Sequence, residues 1–134
     1  MEKEPKRKRT RSQQREYIIS KLYQMDLTGN YEFKPTNSAF VNETLNSVIA
    51  NLDSIDALLE DCLSNWHLNR LSYVDRAILR LAAYEMGYTK TAYEIVIDEA
   101  LNLTHKFSDE GDKKHVAFNN RVLETLAHKM KKKA

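Results

Sequence analysis

WHLNRLSYVDRAILRLAAYEM, residues 66–86, is the stretch that decides the fold. Ser72 is placed to cap a helix, with Asp75 three residues on where a capping box carries its acid. Beyond that start, Ala77, Ile78, Leu79, Leu81, Ala82, Ala83, Tyr84 and Met86 leave only Arg76, Arg80 and Glu85 as charged interruptions. A surface helix shows an apolar stripe about 100° wide, whereas one that is apolar nearly all round belongs at the centre of a bundle. Such a helix must either pair its two arginines and its glutamate internally or present them to a partner.

The flanking sequence supplies the rest of a bundle. A helical period starts at Thr10 and places Ile18, Ile19, Leu22, Met25 and Asp26 on one face, with Gly29-Asn30 as its stop. Ser38 opens a second helix whose inner face is Phe40, Val41, Leu45, Val48, Ile49 and Leu52. Asp53 is placed to cap a third, with Ile55, Leu58, Leu59, Cys62 and Leu63 inward, running to Trp66. Its acids Asp53, Asp56, Glu60 and Asp61 read as an outer, solvated face. After a helix end at Gly87, Tyr93, Ile97, Ala100, Leu103 and Phe107 form the apolar side of another helix. A polar loop, SDEGDKK, leads to a last helix carrying Phe118, Val122, Leu126 and Met130. The expected architecture is all-α in one domain over residues 11–134, preceded by a flexible basic arm, residues 1–10. With only three glycines and two prolines in 134 residues, short connections are expected.

The net charge of +2 conceals an asymmetry. Lys3, Lys6, Arg7, Lys8, Arg9, Arg11 and Arg15 crowd the first sixteen residues, and Lys129, Lys131, Lys132 and Lys133 the tail; the ends together carry +8 and the body −6. A basic arm on an acidic body suits nucleic acid, with the body free for other partners. Arg7, Arg11 and Arg15 are spaced to form one helical ridge against a phosphate backbone, and Gln13 and Gln14 add groups suited to base edges. The lysine tail reads equally as a solubilising segment.

Catalysis finds no support. His67, His105, His115 and His128 are scattered with no metal-binding spacing, and no glycine-rich turn cradles a phosphate. Asp98 and Glu99 are adjacent, about 100° apart on a helix, and do not make an acid/base pair. Cys62, the single cysteine, lies on an apolar face and reads as an inert core thiol; with no secretory signal and no apolar run near the roughly 20 residues of a membrane span, a reducing cytoplasm is expected. No enzyme, metal or cofactor is expected. Arg76 and Arg80, one turn apart, read as pairing groups for acids of neighbouring helices. Glu85 sits at the unfavourable pole of its helix, which suggests either an external basic partner or a local ion pair.

Several segments resemble one known family. Residues 65–86 are similar to the central segment of the bacterial NusB-type transcription antitermination factors. Lys21 to Asp26 resembles the end of that family's first helix, Val96 to Ala100 its val-ala-ile-Asn-Glu-Ala segment, and Phe118 to Leu123 its phe-val-Asn-gly-val-leu segment. The resemblance implies two three-helix bundles packed around a central buried helix. It also implies binding of single-stranded boxA-type RNA, with ribosomal protein NusE as partner, in assemblies on RNA polymerase that promote antitermination, notably in ribosomal RNA operons. By position, Lys6, Arg7, Lys8, Arg9, Arg11 and Arg15 would hold RNA. Phe118, Asn120 and Arg121 at the start of the last helix would join them, and Tyr23 and Glu85 would meet NusE. Three positions depart from the pattern: Asp98 stands for the family's Asn, Arg121 for its glycine, and Ala92 near a missing proline. Two other readings stay open: an accessory rRNA-binding module related to the N-terminal domain of rRNA cytosine methyltransferases, and an interaction protein that does not bind RNA.

Overall fold

A computed structural model describes residues 9–64, 67–109, 111 and 113–133. Among these, the regular structure is six α-helices and one short 3-10 turn: α1 (Arg11–Thr28), α2 (Ala39–Ala50), α3 (Leu52–Glu60), the turn Leu68–Arg70, α4 (Tyr73–Tyr88), α5 (Tyr93–Phe107) and α6 (Lys114–Lys133). The chain is all-helical, as the pattern predicts. α2 meets α1 and α3, α5 packs on α6, and α4 packs against all five other helices. Its apolar cylinder explains that position: Ile78, Leu79, Leu81, Ala82 and Ala83 are each at most 2% exposed. Every side of α4 removed from water contributes to the stability of the bundle, at about 25 cal/mol per Å² of apolar surface.

The helix ends follow local chemistry. Thr10 Oγ1 accepts from the Gln13 N–H while Gln13 Oε1 accepts from the Thr10 N–H, a complete capping box. Ser38 and Ser72 accept from the N–H groups of Val41 and Asp75, so the predicted starts of α2 and α4 hold. Gly29 ends α1 with φ 76°, donating to the Met25 carbonyl.

Three boundaries differ from expectation. α3 stops at Glu60, short of residue 66, because the chain turns into the 3-10 segment: the Leu68 N–H reaches back 2.8 Å to Glu60 Oε1. Asn51, not Asp53, occupies the cap of α3, and Asp53 falls in its first turn. α4 continues through Gly87 to Tyr88. That glycine has a packing role, since a Cβ there would lie 3.2 Å from the Met130 Cε and 3.6 Å from the Leu58 Cδ1. Phe107, predicted inward, is 45% exposed at the last residue of α5, where the helix outruns the neighbours that would cover it.

The two glycines should therefore respond oppositely to alanine. Gly29→Ala should lower the urea-unfolding free energy by roughly 1–2 kcal/mol through its left-handed backbone. Gly87→Ala should be close to neutral, because Met130 can shift and the helix gains up to about 1 kcal/mol of propensity.

Candidate nucleic-acid interface

Of the basic segment, Arg9 lies just before the Thr10 cap and Arg11 opens α1; Lys6, Arg7 and Lys8 lie outside the described residues. Arg9 is exposed, its guanidinium 4.9 Å from the centroid of the Tyr17 ring. Arg11 is exposed too, 3.9 Å over the Phe40 ring. Both keep a charge at the surface while resting on an aromatic face. Gln13 is occupied by the capping box, and Gln14 Nε2 donates to Ser38 Oγ, so both amides have work within the fold.

Arg15 corrects the predicted ridge. It turns inward, 4% exposed, and forms a two-pronged pair with Glu85: Nε to Oε1 and Nη2 to Oε2, both 2.9 Å. Glu99 Oε1 stands 3.7 Å from its other terminal nitrogen. Burial works against the charge on Arg15, but the Glu85 hydrogen bonds and the charges of Glu85 and Glu99 outweigh it and hold the guanidinium above its ordinary pKa. Glu85 is corrected by the same contact. At 2% exposed it has a basic partner inside the chain. Of the two expected partner contacts, Tyr23 alone reaches the surface region. It is half-buried and edge-on to the exposed Tyr73 at 6.1 Å.

The other charges of α4 behave as predicted for the arginines. Arg76 Nε lies 3.0 Å from Asp26 Oδ2, and Arg80 grips Asp56 with two hydrogen bonds of 2.8 and 2.9 Å. A carboxylate of the expected solvated face of α3 is thus an internal ligand, and Asp61 on the same segment takes Lys129 Nζ at 2.9 Å. Cys62 is half-buried; burial is the main cause of its raised thiol pKa, against a lowering by Lys129, which suits an unreactive thiol.

Asp75 builds the entry to α6. Buried at 3%, it accepts from Ser72 Oγ (3.0 Å), Ser108 Oγ (2.7 Å) and Asn119 Nδ2 (3.2 Å), with His115 Nδ1 at 2.6 Å. Asn119 also donates to Thr104 Oγ1. One carboxylate therefore joins the start of α4, the end of α5 and the first turns of α6. This junction orients the last helix so that Asn119 is fully buried, Phe118 and Asn120 are half-buried and Arg121 is exposed. The α1 flank reaches the same region through Lys106, whose Nζ lies 3.0 Å from Glu16 Oε2 one residue before Phe107. Between α1, α4 and the end of α5 lies a cavity of about 760 Å³, lined by Arg9, Tyr17, Ile19, Val74, Ala77 and Phe107 among others. Sequence reasoning missed Tyr17, Lys106 and Phe107 as surface groups, because each sits at a position that helical periodicity assigns to, or beside, a core stripe.

The model of the NusB family matches residues 11–128. This chain belongs to the NusB family. It is 33% identical over 137 residues to the transcription antitermination protein NusB of Helicobacter pylori, covering 92% of this chain and 96% of that protein. The protein of the same name in Macrococcus caseolyticus is also 33% identical, over 87% of this chain and 95% of its own. The solved structure of T. maritima NusB superposes with a TM-score of 0.78 at 29% identity, over 91% and 93% of the two chains. A structure of antitermination factors NusB and NusE in complex with dsRNA gives a TM-score of 0.74 at 25% identity, over 89% of this chain and 96% of that one. The departures from the NusB pattern all fall where the fold accepts them. Asp98 and Arg121 are exposed, and Ala92 caps α5 without a side-chain bond.

Removing one member of the buried Arg15–Glu85 pair strands the other charge, which typically costs about 3–5 kcal/mol. Arg15→Ala and Glu85→Ala should each destabilise by that order in urea unfolding, and the double variant by clearly less than the sum. Additive losses would mean that the two side chains act separately.

Proposed function

We propose that this chain is a transcription antitermination factor that binds boxA-type single-stranded RNA together with ribosomal protein NusE and acts with RNA polymerase, notably in ribosomal RNA operons. The observation that carries the reading is membership of the NusB family across residues 11–128, with curated relatives named as transcription antitermination proteins. The solved NusB–NusE–dsRNA complex supports the choice of RNA and NusE as partners. In this reading the chain is a binding protein and catalyses nothing.

The RNA-binding face consists of Arg9 and Arg11 at the start of α1, with the basic residues Lys6, Arg7 and Lys8 before them, and of Phe118, Asn120 and Arg121 at the start of α6. Arg15 holds this face in place from within and contributes no phosphate contact. The cations neutralise phosphates, and unpaired bases stack on aromatic rings. Tyr23, with Tyr73 beside it, faces NusE; Glu85 sits behind that surface as part of the core.

Each neutralised phosphate of a single strand contributes about −0.7 to the slope of log K against log salt. Arg9→Ala/Arg11→Ala should therefore weaken binding to a boxA-type oligonucleotide and flatten the slope by roughly 1.4. Fluorescence anisotropy across a salt series, with and without NusE, makes the measurement. A slope equal to that of the unaltered chain would remove these two arginines from the RNA face.

A further inference from the structure

We infer that the groove beside α1 receives an unpaired nucleobase, stacked against Tyr17 and Phe107, an inference that rests on the RNA-binding reading above. The groove is about 760 Å³ and is walled on its inner side by Ile19, Val74 and Ala77. Its aromatic lining includes half-buried Tyr17 and Tyr23 on α1 and Phe107 at the end of α5, the last 45% exposed. An exposed aromatic ring beside an apolar cavity marks a binding site.

The charges around it select the occupant. The Tyr17 ring has the Arg9 guanidinium at 4.9 Å and the Lys21 Nζ at 5.4 Å, and the Phe107 ring has the Lys106 Nζ at 5.3 Å. Glu16, the acid of the lining, is neutralised by Lys106, which donates to both of its oxygens at 3.1 and 3.0 Å. Arg9 makes no ion pair among the described residues. An aliphatic side chain from a protein partner would gain nothing from this rim of cations. A base attached to a phosphate chain uses both parts: its planar face stacks on the rings and its backbone meets Arg9. The Gln13 Oε1 and the Ser20 hydroxyl proton on the same wall are engaged by Thr10 and by the Tyr17 carbonyl, so stacking and charge rather than edge recognition hold the base. Tyr23 lines the same groove, so the test separates binding of a base from binding of NusE.

The test uses the full chain and a single-stranded boxA-type oligonucleotide carrying 2-aminopurine at successive positions. The unaltered protein should quench the fluorescence of at least one position on binding, as stacking does. Phe107→Ala, at an exposed site that leaves the core intact, should abolish that quenching and weaken binding about 5- to 100-fold, the range for one stacked base, while leaving the salt slope unchanged. Tyr17→Leu should do the same. Unchanged quenching and affinity in both variants would overturn the inference. So would a loss confined to NusE binding, which would make the groove a protein site. If Arg9→Ala/Arg11→Ala weakens binding while both aromatic variants bind normally, the groove fails and the RNA-binding reading stands. If the unaltered chain binds no RNA with or without NusE, both fail.

Discussion

The buried pair between Arg15 and Glu85 is the contact on which the arrangement of this bundle depends. It joins α1 to the C-terminal half of α4 through two parallel hydrogen bonds of 2.9 Å, in a setting where each side chain is at most 5% exposed. A charge so far from water is tolerated only when its partner is fixed and its donors are directed. The geometry therefore constrains how α1 crosses α4. At the other end of α4, Arg76 with Asp26 and Arg80 with Asp56 tie the same central helix to α1 and α3. Three arginines and three carboxylates thus fix the register of helices whose apolar faces alone would pack in several ways.

With the charges of α4 neutralised internally, the cations that remain exposed lie at the periphery. The exposed cations at the start of α1 and the first turns of α6 are separated in sequence by the whole bundle, yet the fold connects them. Lys106 links the α1 flank to the end of α5, and Asp75 links that end to the start of α6. The family membership says which proteins share this frame, and the frame links an arginine-rich start to a distant helix, as the proposed RNA face requires. The groove between α1, α4 and the end of α5 adds rings to a surface whose other resources are charges.

The fold was largely readable from the amino-acid pattern, because a helix apolar on every side has few places to go. The caps at Thr10, Ser38 and Ser72 and the stop at Gly29 were readable too, since each rests on local chemistry. What escaped was the destination of individual charges. Arg11 and Arg15 sit one turn apart and look alike in sequence, yet one lies over Phe40 at the surface and the other enters the core. Glu85 gave a sign of needing a base, but the base came from 70 residues away, and no local spacing announces that. Asp56 read as a solvated acid because helical periodicity assigns faces without knowing what approaches them. Asp75 was visible as a capping residue, while its grip on α5 and α6 depends wholly on tertiary contacts.

Arginine side-chain NMR tests the central claim, that the charges of α4 are internal while RNA is met outside. The Nε–Hε signal of Arg15 should be shifted and slow to exchange with water in the free chain, and should keep its position when single-stranded boxA-type RNA is added. The signals of Arg9 and Arg11 should exchange rapidly and move in the same titration. An Arg15 signal that exchanges as freely as that of Arg11, or that moves with RNA as Arg11 does, would contradict the account.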